Sequence, residues 1–181
     1  MPKITGGNLG SRKLGSPKGF NVRPTPGRVK ESLFSIVQTR IEGSRFLDLF
    51  AGTGAIGFEA ASRGAASVVC VEGHREQADA IAEAAREMGV DDVVTVVGAP
   101  VDRALYRLDP AFDLVYADPP YAGELPLQMF KLLLERKLLA PDAFVIYEHS
   151  ARMILPEIPG YRSVREEVYG DVALAFFTPV A

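Results

Sequence analysis

From Phe46 onward the sequence alternates short apolar runs with helical stretches, and this rhythm limits the fold more than any other feature of the chain. "RFLDLF" reads as a strand and Ala55 to Arg63 as a helix. "SVVCVE" is a strand and "HREQADAIAEAAREM" an alanine-rich helix. "DVVTVV" is a strand, followed by a short helical stretch near "VDRALYRL". "FDLVYA" is a strand, "LPLQMFKLLLERKLL" a helix and "AFVIYEH" a strand. Near-continuous β-branched runs separated by helices predict a parallel sheet covered on both faces. The end of the chain differs. "YRSVREEVYGDVALAFFTPV" alternates, turns at Gly170-Asp171 and runs on, which predicts an antiparallel hairpin at the sheet edge. The fold class is therefore α/β: a Rossmann-like, mostly parallel, doubly wound sheet with an antiparallel C-terminal hairpin strand. No internal repeat, low-complexity tract or second-domain linker interrupts it.

The 181 residues suit one domain, and 48% apolar with 24% charged residues is the balance of an ordinary globular protein. No run approaches the ~18 apolar residues of a membrane span. The start, "MPKITGGNLGSRKLG", has no apolar core of a signal peptide. Cys70 is the single cysteine, so no internal disulfide forms, and a reducing cytoplasm is the expected home. Cys70 lies between Val69 and Val71 and is expected to be a buried, small apolar residue. Monomer is the default expectation.

The net charge of −3 conceals an asymmetry. Residues 1–40 carry eight basic side chains (Lys3, Arg12, Lys13, Lys18, Arg23, Arg28, Lys30 and Arg40) against one acid, Glu31. A basic arm on an acidic body suits a polyanion; the alternative is a solvated N-terminus that is basic by chance. Residues 1–23, with apolar points at Ile4, Leu9, Leu14, Phe20 and Val22, are expected to form a loose hairpin or irregular arm. "RPTPGRVKESLFSIV" then opens a helix, with Thr25 as its cap, Pro26 at the first helical position, and Val29, Leu33, Ile36 and Val37 on one face. The chain divides into a basic arm and helix, 1–40, and a main domain, 41–181.

Within "LDLFAGTGAIGFE", Gly52, Gly54 and Gly57 form G-x-G-x-x-G between a strand and a helix. Glycines there let the backbone turn tightly and approach a ligand, and the N–H groups at the helix start favour negative charge. Glu72 ends the second strand, where an acid can accept hydrogen bonds from two ribose hydroxyls. Both NAD and S-adenosylmethionine carry such a ribose, so these residues leave the ligand open.

"DLVYADPPY", Asp113 to Tyr121, discriminates. It places Asp118, Pro119, Pro120 and Tyr121 at the C-terminal end of the fourth strand, and the two prolines make a stiff, non-helical corner. The exocyclic amine of a base or amide is a poor nucleophile, because its lone pair is delocalised. The Asp118 carboxylate and the Pro119 carbonyl can hold its two N–H groups and aim the lone pair at a methyl donor. Tyr121 offers a flat face to a planar substrate, including a base swung out of its helix. The sulfonium of S-adenosylmethionine is already a strong electrophile, so positioning supplies much of the catalysis. NAD fits poorly: no second mononucleotide half and no constellation for hydride chemistry stand out. His74 and His149 are isolated and read as surface or strand-end residues, and no zinc spacing occurs, so no metal is expected.

At this point the sequence resembles the RsmD family of bacterial 16S ribosomal RNA guanine-N2 methyltransferases. The resemblance rests on "KITGGNLGSRKL", "RPTPGRVKESLFSIV", "LDLFAGTGAIGFEAASRGAASVVCVE", "DLVYADPPY" and "EVYGDVALAFF", almost the whole chain. It implies a class I methyltransferase fold that uses S-adenosylmethionine and releases S-adenosylhomocysteine. It implies that Asp48, Ala51, Gly52, Thr53, Gly54, Ile56 and Gly57 hold the methionine part and Glu72 the ribose. Asp118, Pro119, Pro120 and Tyr121 would hold the target guanine amine. Arg23, Thr25 and Arg28 match the family's R-P-T-x-x-R segment near the RNA entrance, and Arg12 and Lys13 its basic arm. The implied partner is 16S RNA in small ribosomal subunits or assembly intermediates. Two departures stand out: many family members carry an asparagine in the helix before the third strand, where "AEAAREMG" has none, and they often carry an aspartate after that strand to meet the adenine amine. Here the segment reads "VVGAPVDRAL", so Gly98 and Ala99 offer backbone groups alone. Two rival readings keep the fold: an amino-methyltransferase on DNA adenine or protein glutamine, and a non-catalytic RNA-binding assembly factor.

Overall fold

The structure is a computed structural model that describes residues 3–15, 25–120 and 126–180. Its elements run α1 (Gly27–Ile36), α2 (Gln38–Ile41), β1 (Arg45–Leu49), α3 (Ala55–Ser62), β2 (Ser67–Glu72), α4 (Arg75–Met88) and β3 (Val94–Gly98). They continue as α5 (Val101–Ala104), β4 (Phe112–Ala117), α6 (Leu127–Glu135), β5 (Leu139–Ser150), β6 (Tyr161–Tyr169) and β7 (Val172–Pro179). The strands form a seven-stranded sheet in the order β3-β2-β1-β4-β5-β7-β6. Pairs among β1 to β5 are parallel; β7 is antiparallel to both β5 and β6. The predicted doubly wound sheet with its antiparallel hairpin is the fold observed.

Alternation along the strands sorts the core into two layers. Phe46, Leu114, Tyr116, Ile146 and Phe176 face α1, α3 and α4, where they meet Leu33, Phe34, Phe58 and Ile81. Leu47, Val115, Val145, Tyr147 and Phe177 face the opposite way, toward Met129, Phe130 and Leu133 of α6. Cys70 is fully buried in the first layer, as its apolar neighbours predict.

The N-terminal segment belongs to this first layer. Ile4, Leu9 and Leu14 are buried in it, and a bridge between Lys3 and Lys13 closes residues 3–13 into an irregular hairpin. Its anchor is Glu59 on α3, which is 0% exposed. One carboxylate oxygen accepts the Thr5 N–H at 2.8 Å; the other accepts the Thr5 hydroxyl at 2.9 Å and the Gly6 N–H at 2.8 Å. Lys30 of α1 lies 3.1 Å away and Arg63 2.8 Å away as charged partners. Burial pushes the Glu59 carboxyl up, but the Thr5 N–H, Arg63 and Lys30 more than offset it and hold it below its ordinary 4.5. One buried anion thus ties hairpin, α1 and α3 together. The described part of the arm is packed against the body.

Some boundaries differ from the sequence expectation. Thr25 does not cap α1: Pro26 takes the N-cap position, no side-chain cap bond forms, and the Pro26 carbonyl accepts from Val29 and Lys30. Helix α6 stops at Glu135, because Lys137 turns left-handed at φ 53° and Leu138 bonds back to Leu133. Strand β5 starts at Leu139 rather than Ala143, since an irregularity in its register with β4 lets Leu139 pair with Phe112.

Glu59→Ala leaves Lys30 buried without its counter-charge, and urea unfolding should show a loss of about 3–5 kcal/mol. In the wild type, the stability from Glu59 is present above about pH 4.5 and lost as pH falls, so the gap between the two proteins closes on acidification.

Candidate active site

Strand order reverses between β1 and β4, and Leu49 pairs with Ala117. The two strands therefore end at one level, and the glycine loop leaves β1 beside the Asp118 corner that leaves β4. This is the topological switch point where open α/β sheets bind ligands.

The glycine loop is built by backbone geometry. Gly54 sits at φ 76° as the N-cap of α3, and a Cβ there would lie 2.9 Å from the Phe58 ring and 3.1 Å from Ile81. Gly57 presses α3 onto β2: a Cβ would meet the Cys70 sulfur at 2.4 Å. The Gly57 N–H donates to Asp48 Oδ2 at 2.9 Å. The Gly52 N–H donates to Glu72 Oε2 at 2.9 Å, so the strand-end acid also shapes the loop. The other Glu72 oxygen accepts the His74 N–H at 2.8 Å and faces His74 Nδ1 at 3.0 Å. Glu72 pairs in register with Gly98, which is exposed at the end of β3. Ala51 and Gly52 are partly exposed, whereas Thr53 and Ile56 are buried, Ile56 within the first core layer.

Acidic groups gather at the switch point. Asp48 is 1% exposed. Burial pushes its carboxyl up to about 8; the Gly57 N–H opposes this, while the charges of Asp118 and Glu72 add to it. Asp118 and Pro119 are partly exposed, and Pro120 is exposed. The field of Asp118 also reaches the buried phenols of Tyr116 and Tyr147, which burial raises first. Tyr116 donates to the buried Glu148 carboxylate on β5, and Thr25 reaches the Tyr116 phenol with its hydroxyl. Thr25, expected as a helix cap and an RNA contact, thus packs on Tyr116, two residues before Asp118.

Of the remaining expected residues, Arg12, Lys13 and Arg28 are exposed. Arg23 and Tyr121 lie outside the described residues. His74 is at the surface and His149 is a buried strand-end residue stacked on Tyr147. Sequence reasoning missed Glu148 and Tyr116. An acid inside the apolar run "FVIYEH", and a tyrosine two residues before Asp118 on the same strand face, were the signals available.

These residues fit S-adenosylmethionine. A strand-end carboxylate suits a ribose diol, a tight glycine turn admits a chain with no Cβ in its way, and the Asp48–Glu72–Asp118 row suits a ligand bearing a sulfonium and an ammonium. Fold and site together define a class I, S-adenosylmethionine-dependent methyltransferase. A family model described as "Conserved hypothetical protein 95" matches residues 2–178. Ribosomal RNA small subunit methyltransferase D of Escherichia coli (strain K12) is 32% identical over 176 residues, 97% of this chain and 88% of that protein. A Bacillus subtilis (strain 168) protein provisionally named rRNA methyltransferase YlbH is 30% identical over 179 residues, 97% of each. The solved structure of Escherichia coli yhhF, provisionally assigned as a methyltransferase, superposes with a TM-score of 0.86 at 31% identity, over 98% of this chain and 97% of that one. The chain belongs to the RsmD family of methyltransferases.

The electrostatics carry a testable sign. Because folding raises the Asp48 carboxyl from 3.8 to about 8, its contribution to stability is full below about pH 4 and lost as pH rises through about 8. Asp48→Asn should remove this decline. Urea unfolding across that range should show the variant gaining on the wild type as pH increases.

Proposed function

We propose that this protein transfers a methyl group from S-adenosylmethionine to the exocyclic N2 amine of a guanine in 16S ribosomal RNA of the small subunit. The observation that carries the reading is the level ending of β1 and β4, which sets the Asp118-Pro119-Pro120 corner beside the glycine loop. The names of the relatives support RNA of the small subunit as the substrate.

In this reading Asp48 and the loop from Ala51 to Gly57 hold the methionine part of the cofactor, and Glu72 the ribose. Gly98 and Ala99 border the adenine. When bound, S-adenosylmethionine supplies an electrophilic methyl group on a sulfonium. The Asp118 carboxylate and the Pro119 carbonyl accept the two N–H groups of the guanine amine and turn its lone pair toward that methyl. Transfer would exchange the methyl–sulfur bond for a methyl–nitrogen bond and leave S-adenosylhomocysteine as the thioether, and Asp118 would take the proton of the amine, made acidic by that exchange, and pass it to water. Pro120 keeps the corner from closing into a helix, and Tyr121 stacks on the flipped guanine. Thr25, through Tyr116, ties the start of the α1 segment to the Asp118 strand, and Arg23 and Arg28 act on the RNA at its entrance. Residues 1–40 act as the RNA-docking element, with Arg12 and Lys13 on phosphates, and residues 41–181 as the catalytic domain. The protein acts as a monomer in the cytoplasm, where its substrate is. No helix among the described residues is long and apolar enough to cross a membrane.

Asp118→Ala tests the assignment. Methyl transfer to small-subunit RNA should fall by about 10²–10⁴-fold, while S-adenosylhomocysteine binding by calorimetry stays within a few-fold of wild type. Collapse of cofactor affinity together with activity would contradict the role given to Asp118.

A further inference from the structure

Glu148 lies near the end of β5 and is 8% exposed. A carboxylate is seldom kept this deep without a task. It follows Ile146 by two residues, so alternation turns it toward the first core layer, where Tyr116 also packs. Tyr116 pairs in register with Ile146, and Ala117 with Tyr147. Carried one residue on, that register brings Glu148 abreast of Asp118. The charges of both acids reach the Tyr116 phenol.

The carboxylate sets the direction of a hydrogen-bond chain. A carboxylate accepts and does not donate, so the Tyr116 hydroxyl spends its proton on Glu148. The phenol oxygen is then left to accept, and the Thr25 hydroxyl donates to it. The chain runs from Thr25, two residues before α1, through β4 to β5. A buried network whose members are paired selects one geometry. Removing the acceptor at position 148 frees the phenol to rotate, and the place where Thr25 meets it is lost.

We propose that Glu148 is a positioning residue for methyl transfer: acting through Tyr116, it holds Thr25, and with it the start of α1, against the strand that carries Asp118. Arg28 is exposed in the first turn of α1, three residues after Thr25. Holding Thr25 therefore keeps a cation of the RNA entrance at a set place along that strand. The role concerns how RNA is held and leaves the cofactor untouched. The inference rests on the reading of Arg28 and its segment as an RNA contact.

The test compares Glu148→Gln, which keeps an oxygen to accept from Tyr116, with Glu148→Leu, which does not, and with the double variant Tyr116→Phe, Glu148→Leu. Each is read by thermal unfolding, by S-adenosylhomocysteine calorimetry, and by kcat and KM for methyl transfer to small-subunit RNA. Glu148→Leu should raise the RNA KM by about tenfold and leave cofactor affinity within about twofold of wild type. Glu148→Gln should keep KM within about threefold. The double variant removes donor and acceptor together, so its melting temperature should return toward that of the wild type. Its KM should stay raised by about tenfold, because Thr25 still lacks the phenol. A merely structural glutamate predicts the reverse, with KM recovering in step with stability. That recovery, an unchanged KM in Glu148→Leu, or an equal loss in Glu148→Gln would overturn the positioning role. Absence of transfer by the wild type would instead contradict the proposed function itself, on which this role depends.

Discussion

The parallel pairing of β1 with β4 is the constraint on which the site depends. Sequence neighbours would have put β3 or β2 beside β4. Reversal of strand order at β1 opens a crevice that helices on either face cannot fill, and Leu49 opposite Ala117 makes both strands end there together. A loop from each strand then meets the other without a long excursion. Gly57 makes the junction tight, because only a residue without Cβ lets α3 approach Cys70 and present its N–H to Asp48.

Electrostatics turn that crevice into a selective one. Burial pushes the Asp48 carboxyl up to about 8, and the charges of Asp118 and Glu72 beside it add to that push. The arrangement is unfavourable to the protein alone and favourable to a ligand that brings positive charge, which is how binding sites commonly diverge from what stability would choose. Glu59 shows the opposite case. It is a buried carboxylate whose partners are all in place, and it serves to anchor rather than to bind.

Much of this was legible in the residues. Runs such as "SVVCVE" and "FDLVYA" announced buried parallel strands because both of their faces are apolar, and Gly170-Asp171 announced the closing hairpin. The glycine loop, Glu72 and Asp118 were legible because each breaks a local rule that ordinary packing would keep. What escaped was set by tertiary contact. Thr25 has the chemistry of a helix cap, yet Tyr116 claims its hydroxyl and α1 starts one residue later than expected. Lys137 ends α6 by adopting a left-handed conformation that its sequence does not advertise. Gln77 is one polar residue among several in "HREQADAIAEAAREM", and only the packing of α4 on the glycine loop and β3 shows that it faces inward. Glu148 likewise looks like an ordinary strand-end charge until Tyr116 is found donating to it.

The most direct test of the account is the fate of a labelled methyl group. Labelled S-adenosylmethionine is offered with unmodified small ribosomal subunits, naked 16S RNA, DNA and ribosomal protein in parallel, and each product is digested and identified. The account predicts label in N2-methylguanine from the small-subunit RNA. Label in adenine or in glutamine would keep the amine chemistry of Asp118 and overturn the substrate, and no label in any of them would contradict the proposed reaction.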